Sequence, residues 1–202
     1  DESALLVEAV PDPRGAPHAA MPADPTVRER GPMIVCVDTS GSMKGAPERL
    51  SKAVVLEAVR TAHREQRACH VIAFGGAGEV VDWTLGPDAN GFVGLLDFIG
   101  QGFDGGTDIA TPIERAVERV NDEGWHDADV LIVSDGEFGA TRDALDRLDE
   151  ARSRHGLRVQ GLLIGDRETM GLLETCDHIH WVRDWRRVDP EGNPRNAFSP
   201  VH

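Results

Sequence analysis

Apolar positions along the chain fall into two alternating rhythms, short continuous runs and longer stretches at helical spacing. Met33 to Val37 is a near-continuous apolar run ending on Asp38, the pattern of a strand buried on both faces. Ala46 to Arg64 then carries Leu50, Val54, Val55, Ala58, Val59 and Ala62 at helical spacing, with Pro47 suited to a first turn. Cys69 to Phe74 predicts a second strand, and Glu79 to Trp83 a short one turning back as an antiparallel edge. Phe92 to Ile99 predicts a short helix. Thr111-Pro112-Ile113-Glu114 reads as a capping box opening a helix with Ile113, Ala116, Val117 and Val120 on one face. Val130 to Val133 is the most apolar strand, followed by a helix from about Thr141 to Arg154 that uses Ala144, Leu145, Leu148 and Ala151. Val159 to Ile164, Met170 to Thr175 and Ile179 to Val182 predict a strand, a short helix and a last strand. Strands alternating with helices require crossovers. The predicted fold class is therefore α/β, a doubly wound, mostly parallel six-stranded sheet with helices on both faces and one short antiparallel edge strand.

The ends of the chain break this rhythm. Eight of the 12 prolines lie there, at Pro11, Pro13, Pro17, Pro22, Pro25, Pro190, Pro194 and Pro200. Residues 1–30 thus read as a proline-rich lead-in, with a short helical start at Ser3 to Val10, residues 31–188 as the domain, and 189–202 as a tail. The chain opens on Asp1 without an initiator Met, which reads as a processed product or a piece of something longer. A length of 202 residues with 40% apolar composition suits one domain with a real core. Lys plus Arg number 21 against 35 Asp plus Glu, a net charge of −14, which argues against a protein that grips nucleic-acid phosphates. No apolar run approaches the ~18 residues of a membrane span, and no charged-then-apolar signal sequence opens the chain. Cys36, Cys69 and Cys176, odd in number and irregular in spacing, fit neither a disulfide framework nor a zinc knuckle; they read as small buried hydrophobes in a cytoplasmic protein.

In a doubly wound sheet, the site lies beyond the carboxyl ends of the strands. Three glycine-punctuated loops should meet there: Asp38-Thr39-Ser40-Gly41-Ser42-Met43 after the first strand, Gly105-Gly106-Thr107-Asp108 before the capped helix, and Ser134-Asp135-Gly136-Glu137 after the most apolar strand. They offer two carboxylates, Asp38 and Asp135, with three hydroxyls, on Ser40, Ser42 and Thr107. An all-oxygen set without His or Cys suits Mg²⁺, with Mn²⁺ or Ca²⁺ as alternatives, and disfavours Zn²⁺.

The order Asp-x-Ser-x-Ser, a distant Thr in Gly-Gly-Thr-Asp and a later Asp-Gly resembles the metal-ion-dependent adhesion site (MIDAS) of von Willebrand factor A (VWA) domains, over about residues 31 to 188. Gly31 to Met43, Phe103 to Asp108, and Trp125 to Asp129 look similar to the bacterial ViaA- and CoxE-like members. Those members work beside MoxR-type AAA+ ATPases as adaptors or co-chaperones, so the resemblance implies a non-enzymatic protein-recognition module whose partner is such an ATPase or its client. It also implies roles: Ser40 and Ser42 binding the metal directly, Thr107 joining them when a ligand is engaged, and Asp38 and Asp135 acting largely through water, Asp135 directly when no ligand is present. Fuller members carry a long helical N-terminal region, where this sequence has residues 1–30. Neutral hydroxyls placed first, with carboxylates behind water, leave a divalent cation electrophilic toward a partner's Asp or Glu.

Plainer readings stand beside these. The Asp38 loop alone is also a strand ending in a serine-rich turn. Glu137 suits a helix start, Asp108 local loop hydrogen bonds, and Lys44 a solvated turn ahead of a role in neutralising charge near the site. His178 and His180 share a strand face without an evident third ligand. A haloacid-dehalogenase-type phosphatase also places Asp at a strand end but needs a second Asp two positions on, where this chain has Ser40. No Gly-x-x-x-x-Gly-Lys-Ser/Thr cradle and no Gly-x-Ser-x-Gly elbow is present. A structural VWA domain whose metal is not used for partners is the remaining alternative.

Overall fold

The computed structural model describes residues 31–86, 88–165, 169–182 and, by backbone alone, 198–201. The expected lead-in 1–30, with its helical start at Ser3 to Val10, lies outside the described residues. The strands are β1 (Met33–Asp38), β2 (Cys69–Phe74), β3 (Val80–Thr84), β4 (Asp129–Ser134), β5 (Arg158–Ile164), β6 (His178–Val182) and β7 (Phe198–Val201). They form one sheet in the order β3-β2-β1-β4-β5-β6-β7. The inner strands β2, β1, β4, β5 and β6 run parallel, while β3 pairs antiparallel with β2 and β7 with β6. The six expected strands are all present. A seventh, Phe198–Val201, lies within the expected tail 189–202 and adds a second antiparallel edge to the one expected. Its Pro200, opposite His180, sits where a residue without an N–H is tolerated, on the outermost strand.

Among the described residues, five α-helices cover the two faces: α1 (Ala46–Arg64), α2 (Ala89–Gly100), α3 (Ala110–Val120), α4 (Arg142–His155) and α5 (Met170–Thr175). The period-two alternation of the strands divides the core in two. Ile34 and Cys36 of β1, with Ile72, Phe74, Val130 and Ile132, pack against Ile113, Ala116, Ala144 and Leu148 of α3 and α4. Val35 and Val37, with Val71, Ala73 and Val133, pack against Val55, Val59 and Ala62 of α1 and Phe98 of α2. The β1 strand is thus covered on both sides, which is why its sequence reads as an unbroken apolar run. Burial also holds the Cys36 and Cys69 thiols up at about 12, keeping both protonated.

Two helix starts differ from expectation. The capping box at Thr111 and Glu114 does not form: α3 begins at Ala110, and Asp108 accepts from the Ala110 amide (3.0 Å) and the Thr111 hydroxyl (2.6 Å). A charged acceptor one turn earlier draws the hydroxyl away from the helix amides it would have capped. Likewise α2 begins at Ala89 rather than Phe92, because the Asp88 carboxylate caps it by accepting from the Gly91 amide (2.8 Å).

Candidate metal centre

The strand order reverses direction around β1. From β1 the chain moves outward to β2 and β3, then returns to β4 on the other side, so the carboxyl ends of β1 and β4 flank the switch point. Parallel register pairs Val37 with Val133 and leaves Asp38 and Ser134 side by side beyond it. The Ser134 hydroxyl donates to Asp38 Oδ2 at 2.6 Å, the Ser40 amide donates to Asp38 Oδ1 at 2.9 Å, and the Gly136 amide donates to Ser134 Oγ at 2.9 Å. Ser134 is a positioning residue that sequence reasoning missed, since a hydroxyl closing an apolar strand reads as the onset of a turn.

Backbone bonds bring the middle loop to the first. Thr39 donates its amide to Phe74 O (2.8 Å), Phe103 donates to Thr39 O (3.0 Å), Gly41 to Gly105 O (3.0 Å), and Asp108 to Gly75 O (2.7 Å). A side chain at position 41 would stand 3.2 Å from Asp104 O, so glycine there lets the two loops touch. Lys44, exposed as expected of a solvated turn, forms an ion pair with Asp104 across the same junction. The result is a hydroxyl cluster: Ser40 Oγ lies 3.1 Å from Ser42 Oγ and accepts from Thr107 Oγ1 at 3.1 Å. Asp38 and Ser40 are buried, Thr107 is half-buried and Ser42 is exposed, so the cluster opens to solvent on one side. Asp135 stands at the same edge, half-buried, with Oδ1 accepting from the Glu137 amide at 3.1 Å. The structure brings Asp38, Ser40, Ser42 and Thr107 into one hydrogen-bonded set and leaves Asp135 turned onto its own loop.

The charged form of Asp38 is disfavoured where it sits. Burial pushes its pKa above the ordinary value, hydrogen bonds from Ser134 and Ser40 pull the other way, and the nearby Asp135 charge raises it again. Among the described residues, no Lys or Arg appears with the groups that act on it. Among the described residues no three His, Cys, Asp or Glu side chains gather to hold a metal, so any site here depends on hydroxyl oxygens. Three hydroxyls linked through Ser40, beside a buried carboxylate, are the donor chemistry of a hard divalent ion. His178 and His180 are exposed on β6, and no third His, Cys, Asp or Glu completes a cluster with them among the described residues.

The family described as VWA domain containing CoxE-like protein matches residues 15–179. The chain belongs to this family. Among solved structures, it is similar to a von Willebrand factor type A protein from Catenulispora acidiphila (TM-score 0.61, 16% identity, covering 78% of this chain and 39% of that one). It is also similar to an aerotolerance-related membrane protein from Bacteroides fragilis (TM-score 0.52, 19% identity, 85% and 81% covered) and to BatB from Bacteroides thetaiotaomicron (TM-score 0.51, 18% identity, 85% and 80% covered). At these identities the structural likeness is one of fold. This VWA chain spans well under half the length of the Catenulispora protein. VWA domains are in general protein-interaction modules that commonly carry a metal at an adhesion site, and no helix among the described residues is long and apolar enough to cross a membrane.

Proposed function

We propose that this VWA domain is a Mg²⁺-dependent adaptor that captures a carboxylate of a protein partner. The observation that carries the reading is the hydroxyl cluster in which Ser40 Oγ lies 3.1 Å from both Ser42 Oγ and Thr107 Oγ1, beside the buried Asp38. Ser40, Ser42 and Thr107 would hold the ion, and Asp38 and Asp135 would act chiefly through water. The ion would supply one electrophilic position for an incoming Asp or Glu. This chain's residues do the rest. Ser134 and the Ser40 amide fix the Asp38 carboxylate, and the Gly41–Gly105 contact holds Thr107 against Ser40. Exposed Ser42 leaves the partner an open approach.

Membership of the CoxE-like family favours a MoxR-type AAA+ ATPase, or a client handed to it, as that partner, in the cytoplasm and without catalysis by this chain. The test is calorimetric titration with Mg²⁺, followed by binding to a cognate MoxR-type ATPase with and without EDTA, for wild type and Ser40→Ala. Mg²⁺ binding that Ser40→Ala abolishes, with association lost on chelation, is the expected result. Association indifferent to both EDTA and Ser40→Ala would overturn the reading, as would sustained phosphate-ester turnover in Mg²⁺.

A further inference from the structure

Glu79 stands where the sequence begins the antiparallel edge strand, but β3 starts one residue later and the Glu79 side chain has another use. The connection from β2 to β3 is a closed hairpin tip: the Glu79 amide donates to Gly76 O and the Gly75 amide donates to Glu79 O, both at 2.9 Å. The half-buried Glu79 carboxylate folds back over this tip, where Oε2 accepts from the Gly76 amide at 2.8 Å. The tip in turn is wedged against the loop that carries Thr107. Gly75 O accepts from the Asp108 amide at 2.7 Å, and a Cβ on Gly75 would stand 2.6 Å from Phe103 Cβ. Glu79 completes the junction: a Cβ on Gly105 would stand 2.5 Å from Glu79 Oε2. The carboxylate thus fills the space that a side chain at position 105 would take.

Gly105 links this junction to the hydroxyl cluster. Its carbonyl accepts from the Gly41 amide at 3.0 Å, and two residues further on the Thr107 hydroxyl donates to Ser40 Oγ at 3.1 Å. Backbone bonds fix the loop at Phe103 and at Asp108. The Gly105-Gly106 pair between them has no side chain of its own to pack, and such a pair is the most permissive backbone a loop can have. A carboxylate tied to a closed hairpin packs against it from outside. We propose, on the Mg²⁺ reading above, that Glu79 is a positioning residue: it holds the Gly105–Thr107 segment against the Ser40 loop and so sets the metal affinity of the hydroxyl cluster. Glu79 acts by where its carboxylate sits and not by its charge. An amide of the same length keeps an oxygen for the Gly76 N–H and fills the same space beside Gly105.

The full chain is titrated with Mg²⁺ by calorimetry as wild type, Glu79→Ala, Glu79→Gln, Gly105→Ala and the Glu79→Ala/Gly105→Ala pair, with circular dichroism to check folding. Hydrogen exchange of the Gly41 amide is followed by NMR in EDTA for the same proteins. Glu79→Ala should weaken Mg²⁺ binding at least about tenfold, the usual effect of losing a group that supports metal ligands from behind. Glu79→Gln should restore it to within about twofold of wild type. Gly105→Ala should resemble Glu79→Ala, because its Cβ displaces the flexible end of Glu79. The pair should stay within about twofold of either single variant, where independent effects would multiply to about a hundredfold. Gly41 exchange should quicken in Glu79→Ala, Gly105→Ala and the pair, and not in Glu79→Gln. Undiminished Mg²⁺ affinity in Glu79→Ala, an equal loss in Glu79→Gln, or a multiplied loss in the pair would overturn the proposal. Unchanged Gly41 exchange in Glu79→Ala would do the same. Wild type that takes up no Mg²⁺ would overturn the metal reading instead, and the exchange rates, read without metal, would still decide whether Glu79 holds the loop.

Discussion

Replacing Asp38 by Asn should reverse the order of stability between metal-free and metal-containing solution. In EDTA the wild-type carboxylate is fully buried, and its charged form is disfavoured by burial and by Asp135. The substituted asparagine keeps the shape: its amide oxygen accepts from the Ser40 amide, and its NH₂ donates to Ser134 Oγ, which retains a free lone pair beside the Gly136 amide. The variant should therefore melt at or above wild type in EDTA at pH 7. With Mg²⁺ at about 100 times its dissociation constant, binding to the native state alone adds ~2.7 kcal/mol. A domain of this size gains roughly 2–4 °C per kcal/mol, so wild type should rise by about 5–10 °C while Asp38→Asn barely moves. The pH dependence carries a sign. A carboxyl with a raised native pKa contributes most to stability below its unfolded value of 3.8, and that contribution is lost as pH rises through the native value. The EDTA gap between the two proteins should hence narrow as the pH is lowered through the raised native value and wild type takes up its own proton. The assay is calorimetric melting of both proteins at pH 4, 5.5 and 7, with EDTA or Mg²⁺. A variant that keeps the full Mg²⁺ shift, or melts well below wild type in EDTA, would refute the reasoning.

Three further substitutions separate the site from its scaffold. Ser134→Ala removes the hydroxyl between Gly136 and Asp38 and should cost ~1–3 kcal/mol in urea unfolding while weakening Mg²⁺ binding. Gly136→Ala places a Cβ at φ +75°, against Thr169 Oγ1, and should cost ~1–3 kcal/mol, again with weaker Mg²⁺ binding by titration. Arg67→Ala strips a buried guanidinium from Gly31 O and Asp129 at the opposite edge of the sheet, and should cost ~3–5 kcal/mol in unfolding with Mg²⁺ affinity unchanged. Loss of metal affinity in the last variant would show that the two edges are not independent.

The parallel sheet was legible because strands covered on both faces must be continuously apolar, and Met33–Val37 and Val130–Val133 are. Helix α1 could be read to its ends from its spacing and Pro47. The start of α3 could not, because the competition between Asp108 and the helix amides for Thr111 is decided by the loop's tertiary path. Strand β7 was hidden by its proline, which marks a tail by composition and an edge strand by position. At the candidate site the loops announced themselves through oxygen-bearing residues at strand ends. Ser134 did not, since its partner is 96 positions away in sequence. Nor did the outward face of α2: a helix apolar on nearly every side gives no period from which to tell its inside from its outside.

The distance between Asp38 and Ser134 bears on when this site can exist. A chain emerging from the ribosome presents Asp38 and the first hydroxyls early, yet the carboxylate gains its fixing bond only after β4 has been made and slotted beside β1. Closing so long a loop is slow and falls late in folding. The cation should therefore have little to grip on partly made or partly folded chains, and should lengthen the life of finished ones by slowing their unfolding rather than by hastening assembly. Competence to bind would then double as a certificate that β4 has paired with β1.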